Sequence, residues 1–155
     1  MKQLKDIKTI CNLGCGTMGF GTAIAFAQNG YNVNMYGRKD ASIERATKNI
    51  NFTLNVMVEN NLLTEVGAKE VLSRIHGVTT LKDAAHNADF VIESVAEELS
   101  IKQSVYKEME EYLGEDVIFA TDSSGLSPTA VAAALKHPER FVVAHFWNPP
   151  HLIPL

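Results

Sequence analysis

The stretch Gly14-Cys15-Gly16-Thr17-Met18-Gly19 does most to restrict the folds open to this chain. It fits G-x-G-x-x-G, a pattern of little weight in isolation. Here a β-rich apolar run, KTICNL over residues 8–13, leads into it, and a run rich in alanine and glycine follows from Thr17 to Asn29. In a strand–turn–helix unit of that kind each glycine has its own task. Gly14 permits the tight turn, Gly16 lets a pyrophosphate approach the backbone, and Gly19 lets helix and sheet pack closely. The helix N-terminus, at Thr17 and Met18, then offers unpaired N–H groups and partial positive charge to phosphates. Gly30 is a natural stop for that helix.

The remaining pattern alternates. Residues 32–36, NVNMY, read as a second strand. Asp40 reads as the cap of a long helix, with Ile43, Ala46, Ile50, Leu54 and Met57 at helical spacing. Thr64 opens a further helix that ends near Arg74. IHGVTTL then reads as a strand, LKDAAHN as a short helix and ADFVIESV as a buried strand. Ser100-Ile101-Lys102-Gln103 fits a capping box, with Ile101, Val105, Met109, Tyr112 and Leu113 on one face. VIFA (117–120) and RFVVA (140–144) are strands, and Ser127-Pro128 between them is a helix start. Strands apolar on both faces, alternating with helices, predict an α/β fold: a doubly wound, mostly parallel sheet with helices on each side. Residues 1–155 are expected to form one dinucleotide-binding domain.

Composition narrows the function. A net charge of -4, with Lys and Arg scattered, argues against a nucleic-acid or acidic-lipid partner. No apolar run approaches the roughly 20 residues that span a bilayer. Cys11 and Cys15 lack further ligands nearby, so they read as small packing residues and no metal is expected. Free thiols suit a cytoplasmic setting.

The end of the second strand bears on the choice of dinucleotide. NAD-binding folds usually carry Asp or Glu there, to accept hydrogen bonds from the ribose hydroxyls. This chain has MYGRKD, which puts Gly37 at that position and Arg38 next to it. A guanidinium there suits a 2′-phosphate, or it stacks on adenine while NAD binds. NAD and NADP are both open at this point.

With the glycine loop, VIESVAEELSIK, TDSSGLS and HFWNPP together, the chain resembles the N-terminal domain of the L-3-hydroxyacyl-CoA dehydrogenase family, from about residue 7 onward. HFWNPPHLIPL also resembles relatives acting on other hydroxy acids, such as carnitine and gulonate dehydrogenases. The resemblance implies that Gly14, Gly16 and Gly19 form the phosphate turn and that Glu97 and Lys102 line the cofactor side of the cleft. It implies Ser124 beside the substrate hydroxyl, His145 as the catalytic histidine and Asn148 beside it. It implies a small-molecule substrate, a 3-hydroxyacyl-CoA or related hydroxy acid, and a following helical domain that closes the site and forms a dimer. The family's Asp at the end of the second strand is absent here. The glutamate that orients the histidine lies beyond HLIPL, so a cofactor-binding half, inactive by itself, is expected. Apolar surface meant for a missing domain would favour association between copies.

The chemistry is coherent without the family. Oxidising a secondary alcohol needs a base for the hydroxyl proton, and a histidine that titrates near neutrality supplies one. Ser124 and Asn148 can orient the oxygen as charge develops on it. His76, His86, His137 and His151 read as surface or loop residues, Ser123 as a turn and Ser127 as a cap. The alternative is a non-catalytic dinucleotide-binding module or partner subunit.

Overall fold

Alternate residues of β1 (Thr9–Leu13) leave the strand in opposite directions, as the pleat requires. Ile10 packs with Ile24, Val33 and Met35 on one side, while Cys11 and Leu13 join Val91, Tyr106 and Phe119 on the other. A strand buried on both faces belongs at the centre of a parallel sheet. In this computed structural model, which describes residues 3–153, β1 is central. β2 (Asn32–Tyr36) and β3 (Ile75–Val78) extend the sheet on one side. β4 (Phe90–Glu93), β5 (Ile118–Thr121) and β6 (Phe141–Val143) extend it on the other. The order is β3-β2-β1-β4-β5-β6, parallel throughout.

Helices α1 (Thr17–Gln28), α2 (Asp40–Glu59) and α3 (Glu65–Ser73) cover the Ile10 face. Helices α4 (Leu81–Ala85), α5 (Leu99–Tyr112) and α6 (Pro128–Ala132) cover the Cys11 face. The chain therefore leaves β1 toward one face and β4 toward the other. A crevice opens between their carboxyl ends, where such sheets bind ligands. The predicted doubly wound α/β arrangement is the one observed.

Several local expectations need correction. The N-cap of α2 is Lys39, whose side chain caps nothing, and Asp40 is the first helical residue. Helix α5 begins at Leu99 after Glu98, so there is no capping box at Ser100, whose hydroxyl donates to Glu98 Oε1 at 2.7 Å. The buried face of α5 carries Lys102, Tyr106, Met109 and Glu110, while Tyr112 is exposed. That rotation puts two charged residues inward, and each meets an opposite charge there. Lys102 pairs with Glu93, and Glu110 pairs with Arg140. Arg140 itself ends a 3-10 turn (Pro138–Arg140), so β6 starts one residue later than expected. The IHGVTTL strand is cut short because Thr80 caps α4, accepting from Asp83 N at 3.1 Å. The caps at Thr64 and Ser127 are where the sequence places them.

Candidate cofactor and substrate cleft

The three glycines of the turn differ in their surroundings. Gly14 has φ +116°, and a Cβ there would lie 2.7 Å from Ser94 O. A Cβ on Gly19 would run into Gly14 O, so the start of α1 touches the turn directly. Around Gly16, the N-cap of α1, a Cβ would meet nothing within 4 Å. Two glycines thus serve contact within the protein, and the third faces open space, as a phosphate-binding position requires. Thr17 and Met18 form the first turn of α1 after it.

Asn12 holds this unit together. It is fully buried, and its Nδ2 donates to Gly14 O at 2.8 Å and to Gly19 O at 3.0 Å. Its Oδ1 accepts from Thr22 Oγ1 at 2.8 Å. Sequence reading passed over Asn12, although an amide inside an apolar strand was a signal: a buried amide needs partners.

Two cavities flank the turn. One, of about 270 Å³, is lined by Gly16, Gly37, Arg38, Ser42, Arg45 and Ile101 among others. The other, of about 420 Å³, is lined by Met18, Lys102, Asp122, Ser124, His145 and Asn148 among others. Both also touch Ser94 and Val95, just past β4, so they meet across the crevice. Ser94 Oγ is buried there without a hydrogen-bond partner among the described residues. An orphaned hydroxyl in the same crevice as the open Gly16, with cavities on either side, fits an extended polar ligand such as a dinucleotide.

His145 lies just beyond β6, between two pinned neighbours. Ala144 N donates to Thr121 O at 2.9 Å, and Phe146 N donates to Asp122 Oδ1 at 2.6 Å. The imidazole is exposed, 6.2 Å from the Trp147 ring centroid. Phe146 turns inward against Phe26, with centroids 5.9 Å apart. Further on, Pro150 is buried so closely on α1 that a Cβ at Gly21 would come within 2.6 Å of it. Ser124 and Asn148 are exposed on the same cavity as His145.

Asp122 was not singled out from sequence. Burial raises its pKa, against the lowering effects of the Phe146 N–H and the nearby His145. His151 lies in a turn, as expected, but it is half-buried, burial lowers its pKa, and its Nδ1 has no partner among the described residues.

Lys102 lines the cleft, but its ammonium is already engaged. Nζ donates to Glu93 Oε1 at 2.7 Å and lies 3.1 Å from Glu97 Oε2. Glu93, fully buried, also accepts from Val95 N, Thr121 Oγ1 and Tyr106 OH. Glu97 accepts from Ser123 Oγ and from Gly125 N. Burial alone would raise the Glu97 pKa, but Ser123 and Lys102 outweigh it and hold the carboxyl low. Ser123 is therefore a buried link between two loops rather than simply a turn residue. The two cysteines are free, and no metal-ligating cluster occurs among the described residues.

A doubly wound sheet with this crevice and glycine turn defines a dinucleotide-binding domain of the dehydrogenase kind. Residues 9–155 match the family described as 3-hydroxyacyl-CoA dehydrogenase, NAD binding domain, and the chain belongs to that family. It is 37% identical, over 96% of its length, to 5-formyl-3-hydroxy-2-methylpyridine 4-carboxylate 5-dehydrogenase of Mesorhizobium japonicum, of which it covers 47%. A solved structure of a 5-dehydrogenase acting on that compound, described as an NAD+-dependent dismutase, superposes with a TM-score of 0.81 at 37% identity, over 96% of this chain and 47% of that one. The 3-hydroxybutyryl-CoA dehydrogenase of Escherichia coli K12 superposes with a TM-score of 0.90 at 34% identity, over 94% of this chain and 31% of that one. The fatty acid oxidation complex subunit alpha of Pseudomonas syringae is 36% identical over 99% of this chain, which spans 21% of its length. The chain thus spans half or less of these relatives.

Proposed function

We propose that this chain is the cofactor-holding part of an oxidoreductase that transfers hydride between a nicotinamide dinucleotide and a 3-hydroxyacyl-CoA or related 3-hydroxy acid. The observation that carries this reading is the single cavity where His145, Ser124 and Asn148 meet Met18 of the glycine turn. The dinucleotide, when bound, supplies the hydride acceptor or donor. Gly16 and the N-terminus of α1 hold its phosphates. His145 takes the hydroxyl proton during oxidation and returns it during reduction, and Ser124 and Asn148 orient the oxygen that develops charge. Asp122, through the Phe146 N–H, fixes the chain next to the imidazole. Glu93, Lys102 and Glu97 form the rigid wall of the cleft. The likeness to a fatty acid oxidation subunit supports a place in acyl-chain metabolism. The unpaired Cys11 and Cys15 support a reducing compartment such as the cytoplasm. Exposed Trp147, Leu152 and Ile153 support burial against a further domain or a second copy.

The test is turnover. Joined to the C-terminal segment of a family relative, the chain should reduce acetoacetyl-CoA with a nicotinamide dinucleotide. His145→Ala should lower kcat by about 10²–10⁴-fold, the usual worth of a general acid–base group. An unchanged rate in that variant would remove His145 from the chemistry.

A further inference from the structure

The adenosine side of the cleft is built differently from the substrate side. Gly37 is buried at the end of β2, where a ribose-binding carboxylate would stand. A Cβ there would lie 2.6 Å from Cys15 Sγ and 2.9 Å from Ile43 Cδ1. A carboxylate side chain cannot enter unless both neighbours shift. Cys15, inside the glycine turn, and Gly37 are therefore matched.

Into the same cavity come Arg38, directly after Gly37, and Ser42 and Arg45 from the first turns of α2. Positions three apart on a helix are neighbours on its surface, so Ser42 and Arg45 share one face. Both guanidinium charges reach the cavity lining: Arg38 lowers the Tyr36 pKa and Arg45 the Cys15 pKa, each against the rise that burial imposes. Among the described residues, neither arginine is paired with a carboxylate, whereas Arg74 and Arg140 are. Helix α2 has no side-chain cap, which leaves its positive end open to an anion. Asp40 sits in that first turn but does not line the cavity.

We infer that Arg38, Ser42 and Arg45 form a binding site for the 2′-phosphate of NADP(H), with Gly37 and Cys15 excluding the carboxylate that would repel it. A phosphomonoester carries about −1.5 to −2 charge near neutrality and has three acceptor oxygens. Two guanidinium forks and a hydroxyl match that demand in charge and in donors. The inference rests on the dinucleotide reading above and adds which dinucleotide the site prefers.

Calorimetric titration with two pairs of probes tests it: NADPH against NADH, and 2′,5′-ADP against 5′-ADP, which report the adenosine half alone. The 2′-phosphorylated member of each pair should bind about tenfold or more tightly, the worth of a charge-assisted contact. Arg38→Ala with Arg45→Ala should erase that preference, lowering affinity for NADPH and 2′,5′-ADP about tenfold more than for NADH and 5′-ADP; both side chains are exposed, so folding is not at issue. Gly37→Asp should gain more NADH affinity when combined with Cys15→Ala, which removes the nearer of its two neighbours. NADH binding equal to or tighter than NADPH, unmoved by the arginine variants, overturns this inference and leaves the dinucleotide reading standing. Binding of neither overturns both.

Discussion

Around the glycine turn, the parts that must meet are close in sequence. Asn12, Gly14, Gly19 and Thr22 belong to one strand–turn–helix unit and touch through backbone atoms and short side chains. Across the crevice, Glu93, Lys102, Thr121 and Ser123 come from two strands, a helix and a loop. Buried charge joins them there: Lys102 is 1% exposed and Glu93 fully buried. One side of the cleft is shaped by close approach and the other by electrostatics. A steric change should damage the first side locally, and a charge change should damage the second through the whole core.

The largest expected effect follows from that contrast. Lys102→Met leaves the Glu93 carboxylate buried without its cation and should cost about 3–5 kcal/mol in urea unfolding. Adding Glu93→Gln should recover part of the loss. A single-variant loss under about 1 kcal/mol, the range of an exposed pair, would mean that the pair is not what holds this side.

Gly19→Ala and Gly16→Ala make the steric side of the comparison. The same methyl group at Gly19 meets Gly14 O and should cost about 1–3 kcal/mol, the usual range for overpacking, while at Gly16 it should leave the melting temperature nearly unchanged. Equal losses at both positions would break the distinction between the two glycines.

Acid should act on the second buried ion pair of α5, Glu110 with Arg140, which lies outside the cleft. Burial would raise the Glu110 pKa, but the Lys136 N–H, the Arg140 guanidinium and the His137 N–H together lower it below its ordinary 4.5. A depressed carboxyl stabilises the fold fully above its unfolded value and loses that contribution as pH falls through its native value. Stability should therefore decline below about pH 4.5, and Glu110→Gln should give a lower but flatter acid profile. Asp122, raised by burial, works in the opposite sense. A wild-type profile as flat as the variant's would contradict the assignment. The smallest effect belongs to His145→Ala, which should leave dinucleotide affinity unchanged, since the imidazole is exposed on the cavity away from Gly16 and Arg38. A large loss of affinity would make His145 a binding residue.

The same contrast explains what was legible in the sequence. The sheet, the glycine turn, the Thr64 and Ser127 caps and the buried stripe of α2 rest on local spacing and local hydrogen bonds. On α5 the expected stripe found Met109, Val105 and Leu113, which pack in or against the core, but periodicity treats Lys102 and Glu110 as outward residues. Their partners, Glu93 and Arg140, arrive from other strands, and no local pattern announces them. Asp122 was missed for a similar reason: it matters through the Phe146 N–H, from another loop. Gly37 was visible as a departure, but its cause needs Cys15 and Ile43 in place around it.

The open space at Gly16 should receive the pyrophosphate of a dinucleotide, and a side chain there should block it. The decisive experiment is calorimetric titration of the wild type and of Gly16→Val, each with NADH and with NADPH. Saturable one-site binding is expected in the wild type and none in the variant, with both proteins melting at nearly the same temperature. Undiminished binding in Gly16→Val would rule out the glycine turn as the phosphate site.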